Sequence, residues 1–225
     1  GVGASVVNAL SGKMKVTVHQ DGKIYQQEYT RGKIDYDLKV VGTTDRTGTT
    51  VRFWPDIISE DNPDGIFDEG VSFLFDTLRA RMREMAFLNK GIRITIRDER
   101  GDTPDERSYH FEGGIAEFVT YINKNREVLY PEPIYMEGVK NDVAVEVAMQ
   151  YNDSYSENIF SFANNIQTPE GGTHLQGFSA ALTRTINDYG RRYKFLKEAD
   201  ANLKSEDVRE SLAAVISVKL KEPQF

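Results

Sequence analysis

Cysteine is absent from the 225 residues, which excludes disulfides, thiolate metal sites and a cysteine nucleophile, and fits a reducing compartment. Histidine is scarce: His19, His110 and His174 lie far apart, no two at zinc-ligand spacing. Each reads as an ordinary surface or hydrogen-bonded histidine, and no metal site is expected. No Gly-x-Ser-x-Gly elbow or triad pattern occurs, so hydrolytic nucleophile chemistry is not indicated and no catalytic residue is expected. Long apolar runs are missing too. With no span of ~20 apolar residues and no basic-then-apolar leader, a soluble, cytoplasmic chain without membrane contact is expected. Excess positive charge is lacking, with 28 Lys and Arg against 35 Asp and Glu for a net charge of −7. That total does not call for nucleic acid, yet leaves room for a local basic patch. An initiator methionine is also absent. The chain opens Gly1-Val2-Gly3 directly before an apolar helical stretch over 4–10, which reads as a cut through a working element.

What is present is a composition of 39% hydrophobic and 11% aromatic residues, enough for one large core or two modest ones. Met14, Val16 and Val18 alternate with Lys13, Lys15 and Thr17, the period of a strand with one buried face. Asp21-Gly22 supplies a positive-φ hairpin turn into a second strand over 23–29. A strand over 49–54 is closed by Pro55, and the acidic segment 55–65 is expected as a surface loop. Val71, Leu74, Phe75, Leu78, Met82 and Met85 recur at three- and four-residue steps, predicting a helix that Asn89-Lys90-Gly91 ends. Ile92, Ile94 and Ile96 predict another half-buried strand. Charged residues, glycine and proline crowd 98–107, the expected domain boundary.

Beyond it, 114–125 predicts a helix burying Ile115, Phe118, Val119 and Ile122. Val143, Val145, Val147 and Met149 predict a strand, with 159–165 as its partner across the Asn152-Asp153-Ser154 turn. A helix over 173–189 with the stripe Leu175, Phe178, Leu182 and Ile186, a short helix near 205–212 and a strand over 213–219 complete the chain. Two domains follow, 1–107 and 108–225, of α/β (α+β) class.

Gly1-Val2-Gly3, placed before a helix, exposes backbone amides beside the positive end of the helix dipole, which suits a phosphate; such glycine pairs are also common as plain turns. Arg79, Arg81 and Arg83 with Glu84 read as a solvated helix face. Arg184, Arg191, Arg192, Lys194 and Lys197 form a denser basic group able to touch a phosphate backbone without sequence preference. Asp207 and Glu210, flanking Arg209, read as a helix-surface ion pair.

Several runs resemble one family. Gly1-Val2-Gly3-Ala4-Ser5-Val6-Val7-Asn8-Ala9-Leu10-Ser11 resembles the end of the ATP lid and the following helix of the gyrase-type ATPase subunits of bacterial type II DNA topoisomerases. Thr47-Gly48-Thr49-Thr50-Val51-Arg52-Phe53-Trp54-Pro55 resembles the strand closing their adenine pocket, and 86–91 and 112–115 are similarly placed. Asn164-Asn165-Ile166 through Thr168, then Glu170-Gly171-Gly172-Thr173-His174-Leu175-Gln176-Gly177-Phe178, is a near match to their transducer signature. The resemblance is collinear over essentially the whole chain.

It implies the C-terminal part of a gyrase, heat-shock-chaperone and histidine-kinase (GHKL) type ATPase sandwich over 1–107. A ribosomal-protein-S5-like transducer over 108–225 would follow, ending before the family's Gln-Thr-Lys loop. It also implies ATP and Mg2+ as cofactors of the parent protein, with Gly1, Val2 and Gly3 on the phosphates and Thr49 in the adenine pocket. Gln20 would sit at the inhibitor rim, where many relatives place an arginine that contacts aminocoumarins. DNA is the implied substrate, with Arg184, Arg191, Arg192 and Lys194 as candidate contacts. The implied partners are a gyrase A subunit, in a heterotetramer of two copies each, and a second B-type subunit in an ATP-dependent homodimer.

The family's general base, magnesium-binding asparagine and adenine-reading aspartate precede the lid, and its γ-phosphate lysine follows Phe225. The chain alone is therefore expected to be inactive. Residues 86–92 favour the gyrase branch over topoisomerase IV. A non-catalytic module of the superfamily, of chaperone or mismatch-repair type, is the rival reading, against which the run Glu170 to His174 argues. Ser211 stands where the family has the glycine of an Arg-Glu-Gly-Leu stretch, and a side chain there is expected to tighten or disturb the turn.

Overall fold

The structure is a computed structural model that describes residues 2–225. Its contacts gather into two compact units, Gly1–Phe73 and Leu74–Phe225.

In the first unit, α1 (Gly3–Ala9) leads into β1 (Ser11–Gln20), followed by β2 (Lys23–Thr30), β3 (Lys33–Ile34), β4 (Lys39–Thr43) and β5 (Gly48–Pro55). The antiparallel sheet has β1 between β2 and β5, while β3 and β4 both pair with the far edge of β2. Asp21 and Gly22, at φ 51° and 77°, make the expected hairpin turn. Two consecutive left-handed residues match the right-handed twist of the flanking strands. Met14, opposite both Tyr29 and Phe53, is the buried apolar residue of β1.

The second unit contains α2 (Phe75–Leu88), β6 (Arg93–Asp98), β7 (Asp105–His110), α3 (Ile115–Ile122), β8 (Ile134–Lys140), β9 (Val143–Tyr151), β10 (Asn158–Ala163), β11 (Ile166–Gln167), α4 (Thr173–Arg192), α5 (Ser205–Arg209) and β12 (Leu212–Lys219). One sheet runs β11-β10-β12-β9-β8, and β6 and β7 form a separate hairpin. β12 is the spine. Ala213 and Val215 join Phe87, Leu88, Ile115, Phe118, Val119, Ala148 and Phe162 in one core. Leu212, Ala214 and Ile216 join Val147, Met149, Leu182 and Val208 in the other. Alternate residues point to opposite faces of a strand, so an unbroken apolar run is what a strand covered on both faces requires.

Two expectations are corrected, the partner of 159–165 and the start of the helix over 71–85. The segment 159–165 does not pair with β9; β12 lies between them, antiparallel to β9 and parallel to β10. A parallel pair needs a long crossover, which α4 and α5 supply. Within residues 98–107, β7 begins at Asp105 and pairs with β6 along its length, while the contacts of the chain divide at Phe73/Leu74. The strand went unseen because Asp105, Glu106 and Arg107 carry no apolar alternation. The helix over the Val71–Met85 stripe starts only at Phe75, and it buries Ala86, Phe87 and Leu88 while Val71, Leu74 and Leu78 stay exposed. It docks by its C-terminal end, and Gly91, at φ 84°, turns the chain away as expected. Finally, β8 is an exposed edge strand that no pattern had marked.

Ser211 enters β12 at φ 66°, and its hydroxyl donates to the Ser154 carbonyl. A left-handed serine costs about 1 kcal/mol and a hydrogen bond returns about as much. Ser211→Ala keeps the strain and loses the bond, so it should cost about 1 kcal/mol, whereas Ser211→Gly loses both and should be nearly neutral. Urea midpoints check this; a glycine variant less stable than the alanine variant would contradict it.

Candidate functional site

Gly1 lies outside the described residues. Val2 is the N-cap residue of α1 and Gly3 its first residue, no side chain caps the helix, and Val2 is exposed. The first-turn amides of a helix have no partner within it, and a Cβ at Gly3 would meet nothing within 4 Å. Thr49 lies opposite Val18 across the β1–β5 ladder, and Gln20 lies opposite Lys23 at the end of the β1–β2 ladder. Both are exposed, so the register brings Thr49 and Gln20 to the same end of the sheet.

The other end of β1 holds a site that sequence reasoning missed. Asp56, in the expected surface loop, is 2% exposed. Its carboxylate accepts from Asn62 Nδ2 at 2.9 Å and pairs with Arg31 Nε at 2.7 Å. Its backbone N–H donates to the Leu10 carbonyl, and Arg31 N–H donates to the Ser11 carbonyl, so the cluster grips the junction of α1 and β1 from two sides. The Asn62 amide and, after it, the Arg31 guanidinium hold the Asp56 carboxyl below the usual carboxylate range despite burial. The loop closes because residue 65 is glycine: a Cβ there would fall 2.5 Å from the Ile58 nitrogen.

In the second unit, the Asn164 to His174 run folds into a compact junction. Asn164 and Asn165, at φ 48° and 66°, form the turn between β10 and β11. Thr168 Oγ1 lies 2.7 Å from Ser161 Oγ and 3.0 Å from His174 Nε2, joining the sheet to the start of α4. Gly172 has a structural reason: at φ 152° it brings the backbone so near the imidazole that a Cβ would fall 2.8 Å from its Cε1. Burial lowers the His174 pKa. Unfolding therefore raises it, so the folded state is favoured at neutral pH and loses that contribution as pH falls below about 6.5. We expect the His174 ring to titrate below the ordinary histidine value by NMR; a raised value would contradict this.

The basic residues are placed unevenly. Arg191 donates to Asp200 O at 2.6 Å and Asn202 Oδ1 at 2.8 Å, and also to the Lys197 carbonyl, so it organises the loop after α4. Arg192 lies 5.7 Å from the Tyr193 ring centroid, and Lys194, at φ 61°, follows in the turn. Arg184 lines an open groove of about 650 Å³ with Gln176, Asn187, Asp188 and Arg209. Arg209 pairs with Glu157 at 3.1 Å, not with Asp207 or Glu210, and Asp207 caps α5 through Lys204 N–H. The arginine face of α2 is not merely solvated: Arg81 donates to the Asn165 carbonyl and Arg83 stacks on Tyr121. His19 and His110 are hydrogen-bonded to Thr44 and Glu112. Among the described residues no cluster of three or more His, Cys, Asp or Glu could hold a metal ion, and no helix is long and apolar enough to cross a membrane.

A short helix leading into an antiparallel sheet, followed in the chain by an α/β unit with a parallel crossover, matches solved ATPase domains of type II DNA topoisomerases. The 43K ATPase domain of Thermus thermophilus gyrase B, solved with an aminocoumarin, matches all of this chain and 59% of its own, at TM-score 0.85 and 36% identity. The ATP-binding domain of Francisella tularensis topoisomerase IV, solved with a small-molecule inhibitor, matches 98% of this chain and 57% of its own at TM-score 0.75 and 26% identity. A family model described as DNA gyrase B matches residues 114–225. The DNA gyrase B protein of Streptococcus pneumoniae is 56% identical over all 225 residues, which span 34% of its length. The chain belongs to the DNA gyrase B family, and it spans about a third of the length of the first curated relatives it matches.

Proposed function

We propose that the parent protein is the B subunit of a DNA gyrase, which hydrolyses ATP with Mg2+ to supercoil DNA negatively in the cytoplasm. Its partners are gyrase A, in a heterotetramer, and a second copy of itself in an ATP-dependent dimer. The observation that carries this is the collinear 56% identity to a gyrase B over the entire chain. Residues 1–107 belong functionally to the GHKL ATPase part and 108–225 to the transducer, a division supported by the family model's start at residue 114. In this reading the amides of Gly1, Val2 and Gly3 face the phosphates and Thr49 faces the adenine. The bare first turn of α1 and the exposure of Thr49 fit a nucleotide rim. Arg184, Arg192 and Lys194 are available to a DNA backbone, with Arg191 supporting the loop that presents them.

Supercoiling of relaxed plasmid by the full-length protein with gyrase A tests the reading; relaxation or decatenation without supercoiling would assign topoisomerase IV. The 225-residue chain by itself should show no ATP turnover above background, because neither a base nor a phosphate clamp is positioned in it; measurable turnover would refute that. An aminocoumarin is bound in the Thermus relative. In the full-length protein Gln20→Arg is expected to tighten aminocoumarin binding about tenfold, the worth of one charge-assisted hydrogen bond. An unchanged Kd by calorimetry would remove Gln20 from the rim.

A further inference from the structure

Two consecutive residues of the β10–β11 turn hold two separate pieces of the second unit. Asn164 Nδ2 donates to the Leu220 carbonyl at 2.8 Å and Oδ1 accepts from Leu220 N–H at 2.9 Å, while its own N–H donates to Val218 O at 2.9 Å. An amide that donates to and accepts from one backbone residue imitates a rung of a β ladder. The chain is thus held in line past the last residue of β12. Asn165 reaches the other way. Its carbonyl accepts from Arg81 Nη2 at 2.7 Å, and its Nδ2 donates to Asn89 Oδ1 at 3.3 Å, so it meets α2 near its middle and at its end. Glu84 pairs with Arg81, and Asn89 caps the helix through Met85 O. Both turn residues are left-handed, which asparagine tolerates and most side chains do not. Glycine would suit the angles but bring no amide.

We infer that Asn164 and Asn165 form a coupling joint, passing displacement between α2 and the chain leaving β12 at Leu220 through a single peptide unit. Neither residue is in the apolar core, so the joint is made of hydrogen bonds and not of packing. The biological meaning rests on the transducer reading above: the joint would set how fully nucleotide-driven movement reaches the rest of the protein. Asn164 and Arg81 are then positioning residues that touch neither nucleotide nor DNA.

The test uses the full-length protein. Arg81→Met breaks the helix side of the joint and leaves every Leu220 contact intact. We expect amide exchange over 219–221 to rise about fivefold, the loss of roughly one hydrogen bond, with 213–216 unchanged. In an Asn164→Ala background the Arg81→Met substitution should add nothing further. With gyrase A, both variants should keep DNA-independent ATP turnover within about twofold and lose at least half of the supercoils introduced per ATP. Unchanged exchange over 219–221 in Arg81→Met, additive effects in the double variant, or unchanged supercoils per ATP would each overturn the joint. If the unsubstituted protein fails to supercoil at all, the proposed function falls instead, and the exchange measurement still decides the joint.

Discussion

Phe87→Ala should destabilise the protein by about 3–5 kcal/mol, the range for removing a buried aromatic ring. Phe87 is 2% exposed and is the hub of an aromatic stack. Its ring lies 3.8 Å from Phe111 and 4.8 Å from Phe118, nearly parallel to both, and 5.6 Å from Tyr121. Two flat rings facing an emptied slot cannot close it without turning out of their own contacts with Phe160, Phe162 and Tyr109. The cost should therefore lie well above the bare transfer term of about 2–3 kcal/mol. The location magnifies it. The first turns of α2 expose Leu74 and Leu78, and the helix is anchored in the core by Ala86, Phe87 and Leu88. Losing the anchor should free the helix as well as open a cavity. Urea unfolding followed by helical circular dichroism checks this, and we expect the midpoint to fall by about 2 M. A loss below about 1 kcal/mol would mean that the neighbouring rings repack, and the stack would not be the anchor.

How much of this could be read from the residues depended on whether local pattern or long-range pairing decided the outcome. The Asp21-Gly22 hairpin, the buried face of α3 and the stripe of α4 were legible because each is set within one or two turns of chain. The position of β12 was not. Its apolar run announced a strand, but nothing local states that it inserts between β9 and β10, which follow one another in sequence. β7 lacked an apolar alternation because it is largely exposed, its ladder made by backbone groups that any side chain permits, and in β8 the apolar Ile134, Met136 and Val139 are exposed and mark no buried face. In α2 the periodicity was real but misleading, since the exposed Leu74 and Leu78 share it with residues that pack. The turn at 164–165 stood out in the sequence as a family signature, and only the structure showed that it bonds to Arg81, Asn89 and Leu220. Asp56 was hidden for a different reason: a carboxylate in an acidic, proline-bearing loop reads as solvated, and its burial depends on Arg31 and Asn62 arriving from elsewhere in the chain.

That cluster yields the second large expected effect, an asymmetry between its two charges. Arg31 has 40% of its side chain exposed and Asp56 2%. Removing the negative charge leaves a guanidinium that can turn to water; removing the positive charge leaves a carboxylate buried without its ion partner, the costlier case. Arg31→Ala should therefore lower Tm by about 10 °C and Asp56→Asn by clearly less. The pH dependence separates them further. In the native protein the Asp56 carboxyl is held below its ordinary value, so the unfolded chain binds its proton more tightly. Its contribution to stability is thus complete above the ordinary carboxylate range and is lost as pH falls through that range toward the lowered value. In Arg31→Ala the Asn62 amide, the largest influence lowering the value, still outweighs burial, so the folded-state value should move back toward the ordinary one without passing it. The variant therefore has less carboxylate-linked stability to lose in acid, and the gap in Tm between it and the unsubstituted protein should narrow from about pH 7 to about pH 4. Asp56→Asn has no carboxyl to titrate there and should not gain relative to Arg31→Ala on acidification. Calorimetric melts across that range decide the matter, and Asp56→Asn melting below Arg31→Ala at about neutral pH would show that the cluster is held by its amide bonds and not by its charges.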